Sequence, residues 1–380
     1  IPIARIDVGT TANKIVQLDG NAKLPALDGS LITNVPGATK NASDPTISTN
    51  PSGGVGTEWH NTTSGEVYIC TDATAGENVW INVGGGSGNI RSFYQGENYG
   101  YGFGGNYPQT KDIQQFAFAS DGDATDVGDS YAERMIYASS SSATHGYQLG
   151  GKLPPWVDTN TIFKFAFVSG GTMTDIANLT QSIVRMTGHS TASYGFIAGG
   201  APTTDRIERF SHTSDSDATD WENLTAAKST AGTGSSSSDH GYVAGGSTSI
   251  NVIERFPFAS QTASADVGDL AVSCGAGAST SSVTHGYLCG GGESPIFDQI
   301  QKFAFASSGN ATDIANLLSG CWGQGGQSST ISGYQTAGSD GSGSAATDTI
   351  QKHSFSADTD ATDVGNCTHT NNYGGGGCQY

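Results

Sequence analysis

Three histidines stand at the same place in a recurring motif, directly before its first glycine: His145, His240 and His285. Imidazole nitrogens from neighbouring segments can bind a metal ion such as zinc. The other copies of the motif carry tyrosine or serine at this place (Tyr99, Tyr194 and Ser332). Because half of the positions lack a metal ligand, we expect these histidines to form hydrogen bonds at the start of a strand, and we expect no metal site.

Acidic turns form a second candidate site. They read DGDATD at 121–126, DSDATD at 215–220 and DTDATD at 358–363. Closely spaced carboxylates can bind calcium, but aspartate side chains also accept hydrogen bonds from backbone N–H groups two residues further on. The turn has the same length in every copy, and Asn310 replaces an aspartate in one of them. This favours a structural role, with calcium as the minor alternative and no other cofactor.

A third group of side chains lies between the glycine pair that ends the motif and the isoleucine of the next segment. The distance from the second position of the pair to this isoleucine differs from copy to copy, at 8, 11, 7, 7, 9 and 12 residues. Variable loops on a rigid scaffold commonly build binding surfaces, and aromatic rings there can stack on sugar faces. The alternative for any one residue is that its side chain packs against its own loop. The residues that we predict to bind a receptor are Tyr107, Trp156, Asp158, Glu293 and Phe297.

Motifs of common enzyme classes are absent from the sequence. It contains no G-x-S-x-G nucleophile elbow, no H-E-x-x-H zinc motif and no phosphate-binding P-loop. The glycine pairs close a strand of a repeat instead of opening a helix, so they do not match a dinucleotide-binding motif. We therefore expect a binding protein that is not an enzyme.

The elements that must position these residues repeat six times. Each copy has a Gly-Tyr-x-x-Gly-Gly motif, an Ile-x-x-Phe-x-Phe segment and a hairpin return with an aspartate, or close variants of them. The isoleucine and the aspartate are 13 residues apart in every copy. The first glycines follow at intervals of 46, 49, 46, 45 and 47 residues (Gly100, Gly146, Gly195, Gly241, Gly286 and Gly333). This period, with four strand-like segments, predicts a six-bladed β-propeller.

Each predicted blade contains four antiparallel strands, a to d. Strand a is rich in serine, and small side chains suit the crowded centre of a ring. The aromatic residues of strand c, such as Phe303 and Phe305, are expected to pack between blades. Alternating strand directions place the b–c and d–a connections on one face, so the variable loops share that face. The last ten residues have the register of a strand a, and we expect them to complete the first blade.

Composition limits the class of protein. The chain has 380 residues, of which 55 are glycine and 13% are charged, and its formal net charge is −19. This acidity argues against a nucleic-acid partner, which would require clustered basic residues. No apolar stretch is long enough for membrane insertion. Turn-forming residues outnumber helix formers, which predicts an all-β fold. The six cysteines lack zinc-site spacing, and we expect buried free thiols.

Three domains are predicted. Residues 1–50 alternate short apolar runs with Asp-Gly turns and have too few large apolar side chains for a core of their own. We expect them to form a fibrous β segment for attachment and trimerisation. Residues 51–88 form a small β-module, a hairpin with a third strand, and a Gly-rich linker; its aromatic residues are expected to form its own core in preference to a carbohydrate-binding patch. Residues 89–380 form the propeller.

Two parts of the chain resemble known families. The Gly-Tyr-x-x-Gly-Gly motif resembles the kelch repeat, although Phe and the Asp hairpin stand where kelch units carry Tyr and Trp. The segment ANKIVQLDGNAKLPALDGSLITNV is similar to short repeats of tailed-bacteriophage tail fibres. The module GTEWHNTTSGEVYICTDATAGENVWINV is similar to one that precedes kelch-like repeats in structural proteins of marine phages.

These resemblances imply a structural protein of the virion, located extracellularly in the phage tail. It would be a homotrimeric tail fibre or receptor-binding protein that attaches to other tail or virion proteins and recognises a glycan or protein of the host surface. Two alternatives remain open at this point: a propeller hydrolase or lyase that degrades polysaccharide, and a secreted adhesin without a virion.

The predicted fibrous segment has a direct test. If residues 1–50 hold three chains together, the full chain should be a trimer and a variant lacking these residues should be a monomer, as measured by light scattering after size-exclusion chromatography. Deletion of the Gly-rich linker at 84–88 serves as the control and should leave a trimer. A monomeric full chain would contradict the fibre assignment.

Overall fold

The all-β class expected from the composition is confirmed. The structure is a computed structural model that describes residues 38–84, 95–105, 110–228, 233–246, 250–292, 295–340, 345–371 and 376–380. Regular secondary structure within these ranges consists of strands, with no helix. Contacts divide the chain into two compact units, Ile1–Ile90 and Arg91–Tyr380.

The described part of the first unit is a four-stranded sheet. Its strands are β1 (Thr39–Asn41), β2 (Glu58–Asn61), β3 (Val67–Asp72) and β4 (Val79–Gly84). β1 runs parallel to β2, whereas the β2–β3 and β3–β4 pairs are antiparallel. The hairpin with a third strand is therefore present as predicted, and β1 adds a strand from the segment before residue 50. Residues 1–37 of the predicted fibrous segment lie outside the described residues.

Two indole rings pack together in this sheet. Trp59 and Trp80 meet edge to face, with ring centroids 5.8 Å apart. Trp59 is buried, and its indole N–H donates to the Ser43 carbonyl at 2.9 Å. A buried indole N–H with a backbone acceptor avoids the cost of an unpaired donor. Trp59 thus contributes to the core of the module itself.

The second unit is built from short strands joined by tight turns. In chain order, the strands of its first half are β5 (Tyr99–Phe103), β6 (Asp112–Ala117), β7 (Thr125–Asp129), β8 (Ala138–Ser141), β9 (His145–Leu149), β10 (Lys152–Leu153), β11 (Val157–Asp158), β12 (Thr161–Ala166), β13 (Gly171–Thr172), β14 (Thr174–Asn178), β15 (Thr187–Ser190), β16 (Tyr194–Ala198), β17 (Thr204–Ser211) and β18 (Thr219–Lys228). Those of its second half are β19 (Thr233–Ser236), β20 (His240–Ala244), β21 (Val252–Pro257), β22 (Ala265–Asp269), β23 (Ala278–Ser281), β24 (His285–Gly291), β25 (Phe297–Ala304), β26 (Thr312–Asn316), β27 (Cys321–Trp322), β28 (Gly325–Ser328), β29 (Ser332–Asp340), β30 (Ala346–Ser354), β31 (Thr362–Asn371) and β32 (Gly377–Gln379).

Among the described residues of this unit, six sheets each contain one copy of the repeat. In the order of their four main strands they are β32-β5-β6-β7, β8-β9-β12-β14, β15 to β18, β19 to β22, β23 to β26, and β28 to β31. The main strands of each sheet pair antiparallel, and the Gly-Tyr motif forms the second strand. Three additions are local: β10 and β11 pair as a hairpin, β13 runs parallel to β7, and β27 pairs antiparallel with the end of β29.

The last strand of the chain belongs to the first sheet. β32 pairs antiparallel with β5, with Cys378 opposite Tyr101. The last residues therefore take the place of a first strand next to β5, as their register predicts. This sheet holds the two ends of the unit together, because its first strand, β32, comes from the end of the sequence and its other three strands come from the beginning of the unit.

The serine-rich first strands of adjacent sheets are hydrogen-bonded to one another. The Ser141 N–H, for example, donates to Ser190 Oγ at 2.8 Å between the second and third sheets. Related contacts join the first strands of the next neighbours (His189 Nδ1 to Ser235 O, 3.1 Å; Ser236 N to Ser281 Oγ, 3.0 Å; Ser281 N to Ser328 Oγ, 2.9 Å; Gln379 N to Ser141 Oγ, 3.2 Å). Between the sixth and first sheets, Gln327 Nε2 donates instead to the Tyr101 carbonyl of β5, the second strand, at 3.1 Å. Small hydroxyl side chains suit this region because adjacent backbones approach within one side-chain length.

Aromatic rings fill the space between adjacent sheets. The ring of each Gly-Tyr or Gly-Phe motif packs on the ring of the residue that directly follows the third strand of the next sheet, with centroids 4.6 to 4.9 Å apart. The pairs are Tyr101–Phe167, Tyr147–His212, Phe196–Phe258, Tyr242–Phe305, Tyr287–Phe355 and Tyr334–Phe118. The expectation that the aromatic residues of the third strand pack between sheets is confirmed.

The first glycine of the motif makes room for one of these rings. A Cβ atom on Gly286 would lie 2.3 Å from Cζ of Phe303, which faces it from the third strand of the same sheet. The same close approach occurs in four other sheets (Gly100 with Phe116, Gly195 with Phe210, Gly241 with Phe256 and Gly333 with His353). The glycine is therefore required by packing, since no other residue leaves this space free.

Substitution Gly286→Ala should destabilise the protein by about 2–3 kcal/mol, because the new methyl group overlaps a ring that is already enclosed by neighbours. Urea unfolding followed by tryptophan fluorescence measures this change. Gly122→Ala is the matched control, since a Cβ there meets nothing within 4 Å. Equal stabilities of the two variants would show that the Phe303 ring can move aside.

Candidate functional site

The acidic turns connect adjacent sheets. The third residue of the turn accepts a backbone N–H from the fourth strand of the preceding sheet, as Asp217 does from Asn178 at 2.8 Å. The equivalent contacts are Asp123 with Asn366, Asp360 with Asn316 and Asn310 with Asp269, at 2.9 to 3.0 Å. The first aspartate of the turn forms an ion pair with a lysine of the preceding sheet (Lys164–Asp215, Lys302–Asp358 and Lys352–Asp121).

The last aspartate of the turn follows the predicted local pattern in three of the sheets. Asp126, Asp266 and Asp363 each accept the backbone N–H of the glycine two residues further on, at 3.0 to 3.1 Å. The other carboxylates are bonded across the gap between sheets, which a sequence pattern within one repeat cannot reveal. Among the described residues, no group of three or more His, Cys, Asp or Glu side chains is arranged to hold a metal ion.

The three motif histidines bond within their turns. The backbone N–H of His145 donates to Ser142 Oγ at 3.0 Å, and its Nδ1 lies 2.7 Å from Thr144 Oγ1. His285 repeats both contacts with Ser282 and Thr284, at 2.9 and 2.8 Å. The prediction of a hydrogen-bonding role at the start of the second strand is confirmed for these residues.

A second set of histidines was not singled out by the sequence. His189 and His353 are buried and His212 is partly exposed; loss of hydration of the charged imidazolium lowers the pKa of each to about 4. His353 stands where the five other sheets have the phenylalanine that pairs with the motif glycine. This substitution within the repeat is the signal in the sequence that could have identified it.

The six cysteines, all within the described ranges, are buried and unpaired. Burial raises the pKa of Cys274 to about 12 and that of Cys378 to about 11. These two thiols are therefore protonated at neutral pH, and the six cysteine side chains fill space in the core, as expected from the sequence.

The predicted receptor-binding residues occupy different environments. Trp156 lies at the tip of the β10–β11 hairpin, is 47% exposed and has a φ of 90°. Asp158, at the base of the same hairpin, pairs with Lys152. Phe297 begins β25 and packs against a core cluster that includes Tyr242 and Phe303. Tyr107 and Glu293 lie outside the described residues.

The structure brings Trp156 and Asp158 together on one hairpin of the second sheet, whereas Phe297 lies in the fifth sheet. In the cyclic order of sheets, two other sheets separate these positions on either side. The exposed aromatic residue and the charged pair therefore define one candidate site, centred on the second sheet.

A small surface cleft of about 10 Å³ adjoins Trp156. Its lining includes Glu133, Arg134 and Met135 from the connection that precedes β8, and Lys152 and Pro154 from the hairpin. The first of these segments precedes a first strand and lies outside the variable loops between second and third strands, so the differences in loop length do not indicate its residues. Both connections meet at the same end of the sheets, which places Arg134 beside Trp156.

The junction between the first and second sheets also differs from the others. In the other five sheets, the residue after the motif isoleucine is Gln or Glu, and its side chain accepts a backbone N–H from the preceding sheet at 2.6 to 2.9 Å (Gln114, Glu208, Glu254, Gln301 and Gln351). The second sheet has Phe163 at this place, stacked on Tyr131 at 5.1 Å. This departure, visible in the aligned repeats, marks the junction that carries the cleft.

The buried histidines should make stability depend on pH. Each is neutral when folded, whereas its unfolded pKa is near 6.5. The unfolded chain thus binds more protons between pH 6.5 and about 4, and stability, which is complete above pH 6.5, falls as the pH decreases through this window by up to about 3 kcal/mol per histidine. Substitution His353→Phe should reduce the slope of unfolding free energy against pH in urea titrations at several pH values.

The reciprocal substitution Phe303→His, at the equivalent position of the fifth sheet, should steepen the same slope. Because the slope is compared and not the absolute stability, a general loss of packing in either variant does not obscure the result. An unchanged slope for His353→Phe would mean that this imidazole is already charged in the folded protein.

Comparisons with known proteins do not place the chain in a family. A scan against models of protein families finds no match, and a search of curated proteins finds no significant match. Within the described residues, there is also no helix with the length and apolar character needed to cross a membrane.

Proposed function

We propose that the second unit is a six-bladed, kelch-like β-propeller, and that the chain is a bacteriophage tail-fibre or receptor-binding protein without enzymatic activity. The propeller is supported by the repeat period, by the four main strands of each sheet and by the cyclic contacts of the first strands. The pairing of β32 with β5 supports ring closure, since it joins the two ends of the unit in one sheet.

The viral assignment rests on the resemblance of the N-terminal segment and module to phage fibre proteins. In this proposal residues 1–50 trimerise and attach the protein to other tail or virion proteins, and the propeller faces the host outside the cell. Three copies held together would raise the avidity for a repetitive surface even if each site binds weakly, because the second and third contacts become intramolecular.

The observation that carries the binding function is the exposure of Trp156 beside a cleft. An indole that is 47% exposed at the tip of a hairpin contributes little to a core, yet the hairpin itself is held by the Lys152–Asp158 ion pair. A rigid, exposed aromatic ring offers a flat apolar surface for the face of a sugar or for an apolar group of a protein receptor. We favour a glycan of the host surface as the ligand.

Substitution Trp156→Ala should weaken glycan binding about tenfold or more, as expected for an aromatic anchor. It should change the free energy of unfolding by less than about 0.5 kcal/mol, because the side chain is exposed. Binding of labelled full-length protein to an array of bacterial surface glycans measures the effect. Tyr194→Ala is the control: this ring is 37% exposed and begins β16, at the end of its sheet away from Trp156.

A loss of binding in both variants would argue against a site at Trp156, and an absence of binding in the unaltered protein would overturn the glycan-binding proposal. The array ligands also test the enzyme alternative. A fall in viscosity of a bound polysaccharide on incubation with the protein would replace the non-enzymatic function by that of a hydrolase or lyase.

A further inference from the structure

The junction between the first and second sheets contains a buried arginine in place of the usual polar contact. Phe163 cannot accept the backbone hydrogen bond that Gln or Glu accepts elsewhere. Its ring instead stacks on Tyr131, which is 62% exposed, and the guanidinium carbon of Arg134 lies 4.2 Å from its centroid. The change from an amide or carboxylate to a ring thus coincides with the placement of a cation at this end of the sheets.

Arg134 has an unused hydrogen-bonding edge. Its side chain is almost fully buried, with 3% of the residue exposed, and Nη1 donates to the Thr161 carbonyl at 3.3 Å. Nε and Nη2 have no hydrogen-bond partner among the described residues. These two N–H groups lie on the same edge of the planar guanidinium, and such an edge matches the two oxygens of a carboxylate. The Phe163 ring attracts the cation but offers no acceptor.

Leaving these donors unpaired is costly. A buried donor without a partner costs about 1–3 kcal/mol, and more when the group is charged. Burial lowers the pKa of Arg134 to about 9, so the guanidinium remains a cation at neutral pH. Asp175 lies close enough to favour the charged form, but neither free nitrogen is bonded to it. An anionic ligand would supply the missing acceptors.

The groups around Arg134 select the kind of anion. Lys152, which lines the same cleft, is already paired with Asp158, so Arg134 is the cation that remains for a ligand. Trp156 presents its exposed ring at the cleft, and the Glu133 carboxylate can accept a hydroxyl hydrogen bond. The matching ligand has one anionic group for Arg134, one apolar face for Trp156 and one hydroxyl group for Glu133. A sugar that carries a carboxylate has all three.

We propose that this cleft binds an acidic sugar of the uronic acid type, with its carboxylate on the Nε–Nη2 edge of Arg134, its ring face on Trp156 and a hydroxyl group on Glu133. This inference rests on the proposed glycan-binding function and specifies its ligand. The two nitrogens are covered in the free protein, so a ligand must displace side chains that line the cleft.

The probes are trigalacturonate and its fully methyl-esterified form, which have the same rings and differ in charge. Titration calorimetry and tryptophan fluorescence of the full-length protein measure their affinities. We expect the acid to bind at least about tenfold more tightly than the ester, since a charge-assisted bidentate pair is lost on esterification. Glucuronate trisaccharide serves as a second acidic probe with different hydroxyl stereochemistry.

Substitution Arg134→Lys should reduce the affinity for the acid about tenfold or more, because lysine keeps the charge but lacks the two-pronged edge. The matched control is Arg209→Lys, whose guanidinium also lies over aromatic rings, 4.3 Å from the Tyr194 centroid and 4.0 Å from that of Trp221. This control should bind the acid normally. If Arg134→Lys does not fold, Trp156→Ala and the comparison of acid with ester decide the question.

Equal affinities for acid and ester, or normal binding by Arg134→Lys, would overturn the acidic-sugar site. Failure of both uronates to bind, while neutral glycans on the array still do, would overturn this inference and leave the proposed function standing. Failure of every glycan, charged or neutral, would overturn both.

Discussion

The packing of one aromatic ring against one glycine underlies the architecture of the second unit. Phe303 lies so close to Gly286 that a single methyl group would overlap it, and four other sheets repeat the contact with a phenylalanine or histidine ring. The motif ring next to that glycine then packs on the following sheet, as Tyr242 does on Phe305 at 4.6 Å. Packing within a sheet and packing between sheets therefore depend on the same six-residue motif. This explains why the motif and the third strand are retained in each copy, whereas the loop that joins them differs in length.

Polar residues of the repeat secure the edges of this aromatic core. Serines join the first strands, and aspartates of the turns accept backbone N–H groups of the neighbouring sheet. Such contacts satisfy groups that would otherwise be left unpaired at the ends of short strands. Because their hydrogen-bonding capacity is used between sheets, these Ser and Asp residues serve the scaffold. The residues free for recognition are those that depart from the repeat.

The clearest departure is at the junction of the first and second sheets. Phe163 replaces an amide or carboxylate, Arg134 is buried with one edge unpaired, and Trp156 is exposed beside it. In a chain with a net charge of −19, an anion is repelled at long range, but this repulsion is screened over about 8 Å at physiological ionic strength. A local cation whose N–H donors are arranged to match two carboxylate oxygens can therefore select a carboxylate, and selectivity would come from contact geometry and not from the overall charge.

The sequence by itself determined the all-β class, the six copies of the repeat, the strand that each motif forms and the place of the last residues beside β5, since these follow from period and register. It also indicated Trp156 as a candidate binding residue, because alignment of the repeats shows which loop varies in length. Only the tertiary structure decided that the acidic turns bond to neighbouring sheets, that Phe297 packs in a core and that Arg134 lies beside Trp156. These features depend on contacts between residues distant in the chain, and a period within one repeat carries no information about which side chains meet across two sheets.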